Sequence, residues 1–262
     1  MSGVPIADRW SPRFASFFGW YAERQLSRRF HAVRLAAGSG EALAALRAEV
    51  GPALVALSHA SWWDPMVAVW LHRRFFPERG NVSPMDANEL RRFRFLTRLG
   101  IFGIDPDDGA SLAPMVSHVV GRLRSMDRGT FIVTPQGRFS DPREPVVARP
   151  GAASVLAAMP DMPAWTVAVE YGFWVDARPE VFIRVDRIAS PADARRSAWQ
   201  RALQSAMQAN ADELARAVRS RDAGRFVGVL GGEARVHPVY DLWLRATGRS
   251  RGIELGHREG HG

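Results

Sequence analysis

Leu54-Val55-Ala56-Leu57-Ser58-His59-Ala60-Ser61-Trp62-Trp63-Asp64-Pro65 turns from apolar to chemically loaded within a few residues. The apolar run Ala53 to Leu57 is short and bounded by Gly51-Pro52 before it and polar residues after it, the pattern of a buried strand. His59 follows the strand end. Ser61 reads as a helix N-cap, and Asp64, three residues on, stands where a capping box closes at the start of the apolar run Met66 to Phe76.

On one continuous helix a spacing of five residues would set His59 and Asp64 about 140° apart, at about 100° per residue, and they could not share a proton. With His59 in a strand-to-helix loop and Asp64 in the first helical turn, the loop can fold the imidazole onto the carboxylate. An Asp bonded to one ring nitrogen fixes the tautomer and leaves the other free to take a proton from a hydroxyl. A plainer reading of the same residues also stands: Asp64 as a capping partner and His59 as a satisfied polar residue at a strand end.

The 262 residues suffice for one large domain with a proper core, and no repeat or linker tract divides them. The chain has no cysteine, which excludes disulfides, a thiol nucleophile and a cysteine-ligated metal, and fits a cytosolic protein. Net charge is +8, and all 35 basic residues are arginine. Such a surface attracts phosphate, on lipid headgroups, an acyl-carrying cofactor or nucleic acid. No apolar run reaches the roughly 18 to 20 residues that span a bilayer, and the first residues lack a signal-peptide core. A membrane would be met from one side.

Outward from the opening stretch, Ser11-Pro12 starts a helix to about Ser27 that carries Phe14, Phe17, Phe18, Trp20 and Tyr21 among arginines. It can lie in a membrane interface or dock on the core. Phe30 to Leu35 reads as an edge strand and Glu41 to Val50 as a helix; Pro77 to Val82 reads as a turn. Glu89 to Leu99 is a basic segment, Gly100 to Asp105 a short strand and Ser111 to Met126 a helix. The strand Gly129 to Thr134 breaks at Pro135-Gln136-Gly137-Arg138-Phe139-Ser140, a turn that would expose backbone N–H groups beside the forked donor Arg138. The helix Ala152 to Met159, the strands Ala164 to Tyr171 and Glu180 to Asp186, and a long surface helix from Pro191 to Ser220 follow. The last stretches are an amphipathic segment, Pro238 to Thr247, and a tail from residue 248 to 262 expected to be disordered. Alternating strands and helices predict one α/β sandwich domain, residues 30–247, with a mixed, largely parallel central sheet flanked by helices and residues 1–29 as an N-terminal amphipathic helix. Sites in such folds gather at strand carboxyl ends, where His59 and the 134–140 turn would share one crevice.

His59-Ala60-Ser61-Trp62-Trp63-Asp64 resembles the His-x4-Asp block of the glycerolipid and lysophospholipid acyltransferases, usually N-H-x-S-x-x-D. Thr134-Pro135-Gln136-Gly137-Arg138-Phe139-Ser140 resembles the family's F-P-E-G-T-R block, Gly100 to Asp105 its G-x-x-F-I-x-R block, and Arg149-Pro150-Gly151-Ala152-Ala153 its K-P-G-A segment. Trp165 to Glu170 lies where a fourth, apolar block is expected, and the likeness covers about Phe30 to Asp186.

The resemblance implies transfer of a fatty acyl group from acyl-CoA or acyl-carrier protein to a lipid hydroxyl, foremost on lysophosphatidic acid or a related lysophospholipid. His59 would be the general base and Asp64 its orienting carboxylate. Ser61, Thr134, Pro135, Gln136, Gly137 and Arg138 would contact substrate, with amides near Gly137 facing the oxyanion. No cofactor or metal is expected beyond the donor itself. The partners implied are a lipid acceptor and an anionic membrane, with the protein cytoplasmic and peripheral on the inner face. Ser58 stands where Asn is usual, Gln136 replaces Glu, Thr166 replaces Pro, and Ile104-Asp105-Pro106 lacks the arginine of the second block. These departures leave a second acceptor class open, a glycolipid or carotenoid-glycoside hydroxyl. From another class, a basic membrane- or RNA-binding module would explain the charge but not His59 and Asp64, and no RNA-binding signature or G-x-S-x-G elbow is present.

Overall fold

The computed structural model describes residues 4–174 and 176–231, so the segment 238–247 and the tail 248–262 lie outside the described residues. Eight strands form one sheet: β1 (Ala32–Ala36), β2 (Ala53–Leu57), β3 (Gly80–Asp86), β4 (Ile101–Ile104), β5 (Gly129–Val133), β6 (Ala164–Gly172), β7 (Glu180–Ile188) and β8 (Phe226–Gly231). Their order is β4-β3-β5-β2-β6-β7-β1-β8. The first five run parallel, β7 turns antiparallel to β6, β1 lies parallel to β7, and β8 closes the far edge antiparallel to β1. This is the mixed, largely parallel sheet the sequence predicts.

Helices cover both faces, and side-chain alternation along the strands divides the core between them. On one face α1 (Pro12–Arg29), α2 (Ser39–Ala48) and α3 (Asp64–Phe75) pack Leu26, Leu46 and Trp70 against Val55, Leu57 and Trp165. On the other, α5 (Leu112–Arg124), α6 (Gly151–Ala158) and α7 (Arg196–Ser220) pack Val119, Leu156 and Leu203 against Leu54, Phe131 and Ala164. The short α4 (Ala87–Arg92) and a 3-10 turn, Arg94–Leu99, carry the basic segment between β3 and β4. Each fully buried Leu, Phe or Met side chain contributes about 1.5 to 3 kcal/mol, so the strongly apolar β2 anchors the centre.

Four local expectations change. The stretch read as a turn at 77–82 opens β3, whose polar Asn81 and Ser83 hide it. Pro84 is tolerated because Ser83 donates to Gly100 O on the β4 side, while the ladder with β5 stops at Val82. The Phe30–Leu35 strand is not an edge, since β8 lies outside it. The 191–220 helix is no surface element, because Trp199, Leu203, Met207 and Leu214 of α7 are buried. Ser61 is not an N-cap: α3 starts at Asp64 with Trp63 as its cap residue.

At the opposite end from the strand carboxyl termini, the buried Arg79 donates to Thr130 Oγ1 and to the carbonyls of Leu46, Glu49, Gly51 and Gly129. The guanidinium thereby ties the start of β5 to the end of α2 and the entry to β2, leaving the strands' other ends for chemistry.

Candidate active site

β2 ends at Leu57, and the next three residues each fix part of the crevice. Ser58 accepts the Val169 N–H at 3.0 Å, stitching the end of β2 to β6. His59 gives its backbone N–H to Gln136 Oε1 at 3.0 Å and receives the Ser140 N–H on its carbonyl at 2.8 Å. The loops after β2 and β5 are thus bonded to each other at the residue that carries the imidazole.

The ring of His59 donates from Nδ1 to Asp64 Oδ2 at 3.1 Å. Asp64 is fully buried, and the same oxygen accepts the N–H groups of Ala60 and Ser61, each at 2.7 Å, while Oδ1 accepts Tyr171 OH at 2.6 Å. The carboxylate at the first residue of α3 thus reaches back to the turn before the helix, and the imidazole adds a further donor. The buried carboxylate has four hydrogen-bond donors: the His59 imidazole, the Tyr171 hydroxyl and two backbone N–H groups. Burial first, and then the Asp64 charge, push the Tyr171 phenol far above its usual value, so it stays a donor. With Nδ1 held by the carboxylate, Nε2 is the nitrogen left with a lone pair.

Ser61, Thr134, Pro135, Gln136, Gly137 and Arg138 fall in these two loops, but they do different things. Ser61 Oγ accepts the Trp63 N–H at 3.2 Å, inside its own turn. Thr134 O receives the Gly137 N–H at 3.0 Å and Pro135 O the Arg149 N–H at 2.8 Å. Gly137 has φ of 65° and the Arg149 side chain beside it, so a Cβ there would sit 2.8 Å from Arg149 Cδ and Nε. The amides of Gly137 and Ser140 are therefore committed, whereas those of Arg138 and Phe139 carry no hydrogen bond among the described residues. Arg138 is exposed and makes no ion pair among those residues.

Tyr171 and Phe139 complete the site without a prior sequence role. Phe139 lies against the imidazole, ring centroids 4.3 Å apart, with the exposed Trp62 beyond it at 6.3 Å. Only a tyrosine six residues past Trp165 on the neighbouring strand pointed to the first, and only adjacency to the Gly137 turn to the second. A narrow crevice runs from Ser58, His59 and Gln136 between β6 and α7, past Val146, Met207 and Leu214, with Asp141, Glu144 and Glu170 near its mouth. Burial raises Glu170 above the usual carboxylate value, against the opposing pull of Arg219 and Arg143. Among the described residues no cluster of three His, Cys, Asp or Glu side chains is set to hold a metal ion.

No family model and no curated protein sequence matches the chain. Among solved structures it is similar to the crystal structure of the 1-acyl-sn-glycerophosphate (LPA) acyltransferase PlsC from Thermotoga maritima. The TM-score is 0.54 over 78% of this chain and 79% of that one, at 15% sequence identity. The two chains therefore share a fold, the helix-covered, mostly parallel sheet that sets His59 and Asp64 at its carboxyl edge.

Proposed function

We propose that the protein is an O-acyltransferase that moves a fatty acyl group from acyl-CoA or acyl-carrier protein to a lipid hydroxyl. The observation that carries the reading is the His59 Nδ1 to Asp64 Oδ2 hydrogen bond of 3.1 Å at the end of β2, with the 134–140 loop locked onto the His59 backbone. His59 Nε2 takes the proton of the acceptor hydroxyl as its oxygen attacks the thioester carbonyl. A C–O bond forms, the C–S bond breaks, and the imidazolium returns the proton to the leaving thiolate. No acyl-enzyme is needed, since the acceptor oxygen attacks the thioester directly. The unbonded N–H groups of Arg138 and Phe139, not the committed Gly137 amide, are the donors for the oxyanion.

A lysophospholipid acceptor would put its phosphate against Arg138. A glycolipid hydroxyl is the second reading, favoured by one observation: the crevice lining carries Asp141, Glu144 and Glu170 and no arginine. Carboxylates accept hydrogen bonds from sugar hydroxyls and repel phosphate.

The test is mass spectrometry of products formed by wild type and His59→Ala from mixed acyl-CoAs, or loaded carrier protein, and a bacterial lipid extract. An acylated lipid made only by wild type supports the reading and names the acceptor. No product with either donor overturns it in favour of a non-catalytic lipid- or RNA-binding module.

A further inference from the structure

The helix α1 is amphipathic the wrong way round for a soluble surface. Its buried face is Ala15, Gly19, Ala22 and Leu26, three of them small, and Gly19 lies so close to α3 that a Cβ would collide with the Arg73 side chain. Its outward face carries Phe17, 59% exposed, Trp20, 49%, and Tyr21, 38%. Scattered exposed hydrophobics need no explanation, but a contiguous aromatic patch does.

The patch continues past α1. Phe93, 40% exposed, and Phe95, 46% exposed, lie in and beside the 3-10 turn before β4 and join the helix through ring contacts. Phe14 and Phe18 stand 6.4 and 6.1 Å from Phe95, Phe93 stands 6.4 Å from Phe95, and Phe17 stands 6.3 Å from Trp20. Two segments about 75 residues apart in the chain thus build one aromatic surface, which sequence reading assigned to α1 alone.

Arginines surround it. Arg13, Arg24, Arg28, Arg91, Arg92, Arg94 and Arg98 are all exposed, with Arg24 over the Trp20 ring and Arg98 over Phe14. The nearby acids are spent, Glu23 on Arg73 and Glu89 on Arg92. No helix among the described residues is long and apolar enough to cross a membrane. Aromatic rings ringed by guanidinium groups, of which Arg92 is paired with Glu89, match the interfacial layer of an anionic bilayer, where rings sit at headgroup depth and each basic residue near the surface adds about 1 kcal/mol.

We infer that α1 and the 93–95 turn form one docking surface for an anionic phospholipid bilayer. The surface holds the chain on the membrane by the face that carries α1 and α3, the helix that begins at Asp64. This inference stands apart from the acyltransferase reading, since none of its residues touches His59 or Asp64.

The experiment is co-sedimentation of the full chain with sucrose-loaded vesicles of phosphatidylcholine alone or mixed with phosphatidylglycerol, beside size-exclusion chromatography. Wild type is expected to bind the mixed vesicles, with affinity falling as salt rises. A Phe17→Ser, Trp20→Ser, Phe95→Ser variant is expected to bind at least about tenfold more weakly while melting as wild type does, because all three side chains are already exposed. An Arg91→Gln, Arg92→Gln, Arg94→Gln variant is expected to lose the preference for anionic lipid. Wild type that binds neither vesicle, or the aromatic variant binding as wild type does, overturns the inference. So does a wild-type dimer that the aromatic variant abolishes without vesicle binding, which would make the surface a self-association site. Binding by His59→Ala at the wild-type level keeps this test separate from that of catalysis.

Discussion

Tyr171 donates its hydroxyl to Asp64 Oδ1 at 2.6 Å, so the carboxylate that holds His59 is shared between an imidazole on one oxygen and a phenol on the other. Removing the phenol leaves Asp64 Oδ1 without that donor and lets the carboxylate turn away from the imidazole it orients. Tyr171→Phe is therefore expected to lower kcat by up to about tenfold with KM little changed. An unchanged kcat with a lowered Tm would reduce Tyr171 to a packing residue.

Gln136 takes the His59 N–H through its side-chain carbonyl. Gln136→Glu keeps that acceptor and is expected to retain most activity. Gln136→Met leaves a half-buried N–H without its partner, at a cost of about 1 to 3 kcal/mol. The paired variants, compared by urea unfolding and by kcat/KM, separate the hydrogen bond from side-chain bulk; equal behaviour of the two would refute a role for the bond.

Gly137 combines φ of 65° with the Arg149 side chain at its back. Gly137→Ala is expected to destabilise by about 1 to 2 kcal/mol from the backbone conformation and crowding. Because the same turn bonds to His59 through Gln136 and Ser140, activity should fall further than stability at a temperature where both proteins are folded. Unchanged kcat/KM would mean that the turn does not position the imidazole.

His72 of α3 is buried and donates from Nε2 to Arg79 O at 2.7 Å. Burial lowers its pKa from 6.5 to about 4. The unfolded chain thus binds the proton first, and stability falls as pH drops from about 6.5 toward 4. The shift corresponds to about 2 kcal/mol lost between pH 7.5 and 5. His72→Gln, followed by urea midpoints across that range, is expected to flatten the slope; an unaltered slope would assign the acid sensitivity elsewhere.

The apolar run of β2, the start of β5 and the helix at Ser11-Pro12 were legible because each is bounded by Gly, Pro or a capping residue. β3 was not, because its apolar content is low and its ladder uses Pro84 at a position where no donor is required. His59 and Asp64 could be paired from their spacing across a strand-to-helix loop. Tyr171 could not, since its partner lies 107 residues away and only the placement of β6 beside β2 brings them together. The outward aromatics of α1 were visible as residues, but which of them faced solvent depended on Gly19 and Ala22 fitting against α3. The contribution of Phe93 and Phe95 needed the tertiary fold, because in the sequence they sit within a run of arginines.

The placement of β1 has a consequence for how the chain is made. Its neighbours are β7, through Val181 to Ile183, and β8, through Phe226 to Gly231. A nascent chain emerging at about 5 to 20 residues per second presents β1 and α1 for on the order of ten seconds before either neighbour leaves the ribosome. Throughout that interval the aromatic face of α1 is already available while the sheet is still open. With the docking surface inferred above, capture at a bilayer would precede completion of the fold, and the order of synthesis would favour assembly at the bilayer surface over release and later recruitment.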